Sequence, residues 1–192
     1  MKDLNKLFRI AKSNLDSIGI EYGNIIGIFP NTRAKSRWGQ CKIVNGTSIY
    51  EWYDREFEIN ISSRILIDEV NDDKVISVII HEILHTCEGC FNHGVKWKEY
   101  ADLVNDCFSC YKIERTQSCE FFGFNAREER DKISTYKVQC GNCKNEFYRN
   151  RLFNLKTCTC GKCHKRNWNV WKNEGNGSYK FYTRAVAYEF QN

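Results

Sequence analysis

Residues 71–89, NDDKVISVIIHEILHTCEG, constrain the fold of this chain more than any other segment. The segment predicts a helix, because Asn71 or Asp72 can cap its start, acids fill its first turn and Gly89 can end it. Apolar residues cover almost every face, which is typical of a helix that is buried all round. They are Val75, Ile76, Val78, Ile79, Ile80, Ile83 and Leu84. The other elements must therefore pack around this helix.

Two histidines and a glutamate interrupt the apolar pattern. His81 and His85 are separated by one helical turn plus about 40°, with about 6 Å of rise, so both imidazoles can reach one ion. Burying these groups without partners would cost on the order of several kcal/mol, which argues against ordinary core residues. Three protein ligands and a water form the usual open zinc site. Glu82 lies beside the pair, placed to accept a proton from such a water, and is the candidate catalytic residue.

The third ligand must come from elsewhere in the sequence. His93 is favoured, because it follows the predicted helix end and begins the next helix, which a tight turn would carry back over the first. Glu99 or Asp102, one and two turns into that helix, would instead supply a carboxylate. The spacing differs from that of metzincins, which need glycine and histidine where this chain has Glu88 and Phe91.

A second set of metal-ligand residues lies near the C-terminus. Cys140 and Cys143 in QCGNCK are followed, after sixteen residues, by Cys160 and Cys163 in TCGKCH. This spacing is typical of a four-thiolate structural zinc. Disulfide pairing is the alternative, although clustered thiols in a reducing compartment more often bind metal. Two neighbouring groups could compete as ligands: Cys158 and His164.

Four other cysteines have a similar spacing. Cys87 and Cys90 are followed, again after sixteen residues, by Cys107 and Cys110. The segment between them is predicted to be helical, so both pairs are interpreted as helix-end or packed thiols. An oxidation-sensitive pair beside the first site is the alternative interpretation.

Charge divides the chain unevenly. Residues 1–135 carry 18 Lys and Arg against 21 Asp and Glu, whereas residues 136–192 carry 11 against 3. The boundary is predicted in NAREERDKISTY, 125–136, which is charged and poor in large apolar residues. We therefore predict a catalytic domain at 1–130 and a zinc ribbon at 136–192.

Basic and aromatic residues alternate around the ribbon cysteines. Cations can contact phosphates and exposed rings can stack on unpaired bases, a combination suited to single-stranded nucleic acid. The alternative is a solvated surface over a small aromatic core. The predicted contacts are Lys144, Arg149, Arg151, Lys162, Lys165, Arg166, Trp168 and Trp171.

The remaining segments predict an α+β fold. Hydrophobic periodicity indicates helices at about 3–18 and 94–108, and strands near 24–29, 38–44, 47–53 and 56–61. The sequence contains neither a signal-peptide pattern nor an apolar run long enough to span a membrane. A cytoplasmic protein without membrane contact is expected.

Four stretches together resemble the SprT-like zinc metalloprotease family. They are NTRAKSRWGQCK, FEINISSRILID, HEILHT and NHGVKWKEYADLVN, within about residues 5–115, and the cysteine ribbon also matches the family layout. The resemblance implies a small zincin domain with zinc on His81, His85 and His93. It also implies that Glu82 is a general base and that proteins near DNA, including crosslinked ones, are cleaved.

These observations predict a zincin-like domain, with helices packed on a short mixed or antiparallel sheet, followed by a β-rich ribbon. The expected function is that of an endopeptidase with one catalytic and one structural Zn²⁺, a protein substrate and DNA, preferably single-stranded, as partner. The substrate would lie along an edge strand. One alternative is a nucleic-acid-binding zinc protein whose H-E-x-x-H site is structural or inactive. Another is a peptidase without a nucleic-acid role.

Overall fold

A computed structural model describes residues 1–34, 36–45, 52–126, 128, 131, 134–175 and 177–186. The chain divides into two compact units, Met1–Gly123 and Phe124–Asn192. The α+β class predicted from the sequence is confirmed, since helices accompany two separate sheets in the described residues. No helix in those ranges is both long and apolar enough to cross a membrane.

The first unit contains three helices: α1 (Leu4–Ser17), α2 (Asp72–Leu84) and α3 (Val95–Cys107). Asp3 caps α1, since its side chain accepts a hydrogen bond from the backbone N–H of Lys6 at 2.9 Å. One apolar face of α1 packs on α2. The buried residues of this face are Leu4, Leu7, Ala11 and Leu15. The amphipathic pattern of the N-terminal segment therefore reflects docking on the central helix.

Helix α2 is buried on nearly all sides, as its apolar sequence predicts. Asn71 caps it, accepting from the backbone N–H of Asp73 at 2.7 Å. The helix ends at Leu84, earlier than the stop predicted at Gly89. The hydroxyl of Thr86 donates to the carbonyl of Ile83 at 2.7 Å, and the backbone N–H of Thr86 bonds the same carbonyl at 2.8 Å. This tight turn closes the helix before the glycine is reached.

The first sheet is mixed and contains β1 (Asn24–Asn31), β2 (Gly39–Asn45) and β3 (Glu56–Ser62). Their order is β1-β3-β2, with β1 parallel and β2 antiparallel to the central strand. Strand β2 is therefore an edge strand. Of the strand predicted at 47–53, residues 46–51 lie outside the described residues, and Trp52–Asp54 form a short 3-10 helix, so that end of the prediction is wrong.

The second unit is a four-stranded antiparallel sheet. Its strands are β4 (Tyr136–Cys140), β5 (Glu146–Arg149), β6 (Asn167–Asn173) and β7 (Tyr179–Val186), in the order β5-β4-β6-β7. The core is small and is formed by Val138, Cys140, Cys160, Trp168 and Val170. Two of its buried members are cysteines of the predicted quartet, so the ligand residues are themselves part of the core.

Candidate active site and metal centres

Three histidines converge at the C-terminal end of α2. The Nε2 atom of His81 lies 3.2 Å from Nε2 of His85 and 3.1 Å from Nε2 of His93. A tetrahedral zinc with Zn–N bonds of about 2.0 Å separates its nitrogen ligands by about 3.3 Å. The structure thus brings His93, rather than Glu99 or Asp102, to the helical pair, and the three residues form a group that could hold a metal ion.

Hydrogen bonds fix the orientation of two of these rings. Nδ1 of His81 lies 2.9 Å from the carbonyl oxygen of Glu114, and Nδ1 of His85 lies 3.0 Å from that of Cys90. A carbonyl can only accept, so each Nδ1 carries the proton and each Nε2 presents a lone pair. The lone pairs of His81 and His85 face one another and repel unless a cation lies between them, so the residues fit a metal ion.

The environment also keeps the imidazoles neutral. The pKa of His81 is lowered to about 3, chiefly by burial and also by the neighbouring His85 and His93, against the opposing hydrogen bond to Glu114. Burial likewise lowers the pKa of His85 and of His93. The neutral ring is the form that binds metal.

Trp97, which the sequence analysis did not single out, packs against all three rings. Its ring centroid lies 4.8 Å from that of His81, 5.7 Å from that of His85 and 4.5 Å from that of His93. The side chain is 2% exposed, and its Nε1 is a buried donor without a hydrogen-bond partner among the described residues. Its place in α3, one turn after His93, is the signal that could have revealed this contact.

Glu82 lies beside the histidine cluster and is almost fully buried, with 6% exposed. Burial raises its pKa to about 8, opposed by a hydrogen bond from the backbone of Cys41 and by the charge of Arg37. A cation nearby would favour the ionised carboxylate. Gly39 makes room for this side chain, because a Cβ at position 39 would lie 2.7 Å from Cγ of Glu82.

An open cleft runs past His81 and Glu82. One cavity, of about 250 Å³, is lined by these residues together with Arg37, Trp38, Gly39, Val78, Arg115 and Thr116. A second cavity, of about 630 Å³, shares His81 and Glu82 and extends along Gln40, Cys41, His85, Phe91 and His93. Edge strand β2 forms one wall of this cleft, so an extended chain can lie beside both the histidines and the carboxylate.

The cysteine in this cleft is not an activated nucleophile. The pKa of Cys41 is raised to about 12, chiefly by burial and also by electrostatic interaction with Glu82 and Cys87. The thiolate is the reactive form of cysteine, and at neutral pH this side chain is a thiol.

The ribbon quartet forms the second group that could hold a metal ion. Sγ of Cys140 lies 3.5 Å from Sγ of Cys163, and Sγ of Cys143 lies 3.6 Å from Sγ of Cys160. These separations are far beyond the S–S bond of about 2.05 Å and near the roughly 3.8 Å expected around tetrahedral zinc. Cys158 and His164 are not members of this group.

Each pair of ribbon cysteines lies on a short turn, 140–143 and 160–163, which we call a knuckle. Both knuckles close with the same backbone pattern. The backbone N–H of Lys144 bonds the carbonyl of Cys140 at 3.0 Å, and that of His164 bonds the carbonyl of Cys160 at 2.7 Å. Lys144 and His164 take the left-handed conformation, with φ of 59° and 56°. That conformation is strained for a side chain and favours glycine.

The predicted nucleic-acid residues divide into two sets. The six cations are all exposed: Lys144, Arg149, Arg151, Lys162, Lys165 and Arg166. Trp168 is 2% exposed, and its Nε1 donates to the carbonyl of Cys158 at 3.1 Å, so its assignment as a stacking platform is wrong. The small core needs this ring. Trp171 is half-buried on the opposite face of β6.

The four additional cysteines do not form another ribbon in the described structure. Cys87 and Cys90 are buried after the end of α2, whereas Cys107 ends α3 and, like Cys110, is exposed. In the sequence, the two pairs are separated by helix α3, whose last residue is Cys107.

Comparison with known proteins places this chain in a family. The sequence matches the family described as SprT-like over residues 21–118, about half of its length. A curated relative, "Protein SprT-like" from Bacillus cereus, is 26% identical over 96 residues, which are 48% of this chain and 55% of the relative. The chain thus spans about half the length of that relative, and no solved structure matches it. The three histidines and Glu82 lie within the matched region, and the chain belongs to the SprT-like family.

Proposed function

We propose that the first unit is a zinc-dependent endopeptidase. The observation that carries this proposal is the convergence of three imidazole Nε2 atoms beside a buried carboxylate in an open cleft. A purely structural metal site is normally closed by four protein ligands. Here His81, His85 and His93 are the three candidate ligands, and the cleft leaves access for a substrate.

Peptide hydrolysis requires a deprotonated water, a polarised carbonyl and a protonated leaving amine. A zinc ion held by the three histidines would lower the pKa of water and polarise the carbonyl. Glu82 accepts the proton of the attacking water at its carboxylate and then delivers it to the leaving nitrogen. The backbone N–H of Cys41 and the packing of Gly39 hold the carboxylate in place for this transfer.

Strand β2 provides the surface for the substrate backbone. No other described strand pairs with its outer edge, so the outward N–H and C=O groups of β2, apart from the Cys41 N–H that bonds Glu82, are available to an extended peptide. Such pairing is sequence-independent in its backbone contacts and suits an enzyme that acts on many proteins.

The ribbon supports a nucleic-acid role for the same protein. Lys137 pairs across the sheet with Tyr148 and Trp171, and Trp171 pairs with Phe181, so these side chains share one face. This face lies opposite the buried row that contains Val138. Phe181 is 56% exposed. An exposed ring on a face that also carries half-buried rings and a lysine suits unpaired bases, which supports single-stranded DNA as the partner.

The test uses a protein bound to single-stranded DNA as substrate for the full zinc-loaded chain. Glu82→Gln should retain zinc and lose cleavage by at least about a hundredfold, because general-base catalysis contributes that much or more. The matched control is Glu69→Gln, an exposed glutamate outside the cleft. Salt-sensitive DNA binding without cleavage by the unmodified chain would favour the inactive-site alternative, whereas DNA-independent cleavage with weak DNA binding would favour a peptidase without a nucleic-acid role.

A further inference from the structure

Two arginines line the smaller cavity beside the candidate catalytic residues. Arg37 and Arg115 are both exposed and border the same space as His81 and Glu82. Within the described residues, no carboxylate lies at ion-pair distance from either guanidinium. Both guanidinium groups are therefore available to a ligand that enters this cavity.

The segments that carry these arginines are tied together. The indole Nε1 of Trp38, next to Arg37, donates to the carbonyl of Gln117 at 2.9 Å. The ring of His81 donates to the carbonyl of Glu114, next to Arg115, at 2.9 Å. Both arginines are therefore carried by backbone that hydrogen bonds hold at the cleft, so only their side chains need ordering when a ligand binds.

The lining of this cavity matches a carboxylate. Guanidinium groups form paired, charge-assisted hydrogen bonds with carboxylates, which are stronger where water is partly excluded. Trp38 and Val78 supply apolar walls that can contact the methylenes of an acidic side chain. A lysine in the same position would be repelled by both guanidinium groups.

We propose that Arg37 and Arg115 select substrates with an aspartate or glutamate next to the bond that is cut. This inference rests on the proposed peptidase function, since it assigns the substrate side chain that enters the cleft. A DNA phosphate is the competing anion. The cavity measures about 250 Å³ and contains Glu82, so a side chain that accompanies the scissile bond fits it better than a phosphodiester backbone does.

The test measures binding, independently of cleavage. Three labelled peptides that differ only in a central Asp, Asn or Lys are titrated by fluorescence anisotropy against the full zinc-loaded chain carrying Glu82→Gln. The Asp peptide should bind about tenfold more tightly than the Asn peptide and the Lys peptide most weakly. Adding Arg37→Gln and Arg115→Gln together should abolish the preference. Adding Arg33→Gln, an exposed arginine outside both cavities, should preserve it.

Equal binding of the three peptides would overturn the inference, even if the unmodified chain cuts them. An oligonucleotide that displaces the Asp peptide would also overturn the inference, in favour of phosphate binding, if the displacement depends on the two arginines. In that case the displacement is lost in the double arginine variant and persists with Arg33→Gln. Preferential binding of the Asp peptide with no cleavage by the unmodified chain would retain the acidic preference and remove the proposed peptidase. The two proposals therefore fail separately.

Discussion

The Nε2 atoms of His81 and His93 lie 3.1 Å apart, although twelve positions separate these residues in the sequence. The turn after α2 and the start of α3 bring the second ring over the first. This contact converts a helical pair of histidines into a three-ligand site. The metal affinity and the activity of the site should depend on the side chains that position these ligands.

Removal of the His93 imidazole should abolish zinc binding at the histidine site and leave the ribbon site intact. His93→Ala should reduce bound zinc from two ions per chain to about one, because two ligands bind zinc far more weakly than three. Glu99→Ala should keep both ions, since Glu99 is not part of the cluster. Elemental analysis after dialysis measures the ratio. Loss of zinc in the Glu99 variant with retention in the His93 variant would reverse the ligand assignment.

Trp97 should affect metal affinity through the orientation of the rings it contacts. Trp97→Leu should weaken zinc binding at the histidine site by roughly tenfold to a hundredfold, the range found when groups supporting metal ligands are altered. Competition with a chromophoric chelator measures this affinity, and urea unfolding of the metal-free chain shows whether the fold survives. Trp171→Leu in the ribbon is the matched control. Unchanged affinity in a folded Trp97 variant would contradict this role.

Peptide cleavage should require a residue without a side chain at Gly39. In Gly39→Ala the new methyl would meet Glu82, so the carboxylate or strand β2 must move. A displacement of about 1 Å can lower catalysis by about a hundredfold while zinc binding persists. Peptide cleavage and zinc content should be measured on the same sample. Gly161→Ala, whose Cβ would meet nothing within 4 Å, should leave cleavage unchanged.

Chelation should unfold the ribbon before the first unit. Val138 and Trp168 belong to a small core, so metal binding would supply much of the folding free energy. Hydrogen exchange with and without chelator should show lost protection in β4 and β6 and retained protection in α2. Cys143→Ser should reproduce the loss without chelator, whereas Cys158→Ser should not. A ribbon that stays protected after metal removal would show that its apolar core suffices.

The left-handed residues of the knuckles should tolerate glycine and resist β-branched residues. His164→Gly should stabilise the zinc-loaded chain by up to about 1 kcal/mol, because it removes the strain of a positive φ. His164→Val should destabilise it, and Lys162→Gly, which relieves no such strain, should not stabilise it. Melting temperatures of the three variants provide the test. A higher melting temperature in His164→Val would contradict the proposed backbone strain at this position.

The sequence by itself determined the elements whose information is local. The apolar helix and the positions of His81 and His85 follow from a spacing that the helix geometry alone fixes. The cysteine knuckles follow from short turns in the same way. Helix α2 ends before the stop predicted at Gly89, because Thr86 closes the helix through a hydrogen bond to Ile83. A local side-chain bond of this kind competes with glycine as a helix end.

Only the tertiary structure decided the groups that reach the site from distant segments. Gly39 and Arg115 lie far from Glu82 in the sequence, and sheet pairing and loop packing place them beside it. The burial of Trp168 could not be predicted from the sequence either, since alternating aromatic residues do not reveal which face of a strand covers the core. Local periodicity specifies which residues share a face, whereas the partner of that face depends on contacts between segments that no local pattern encodes.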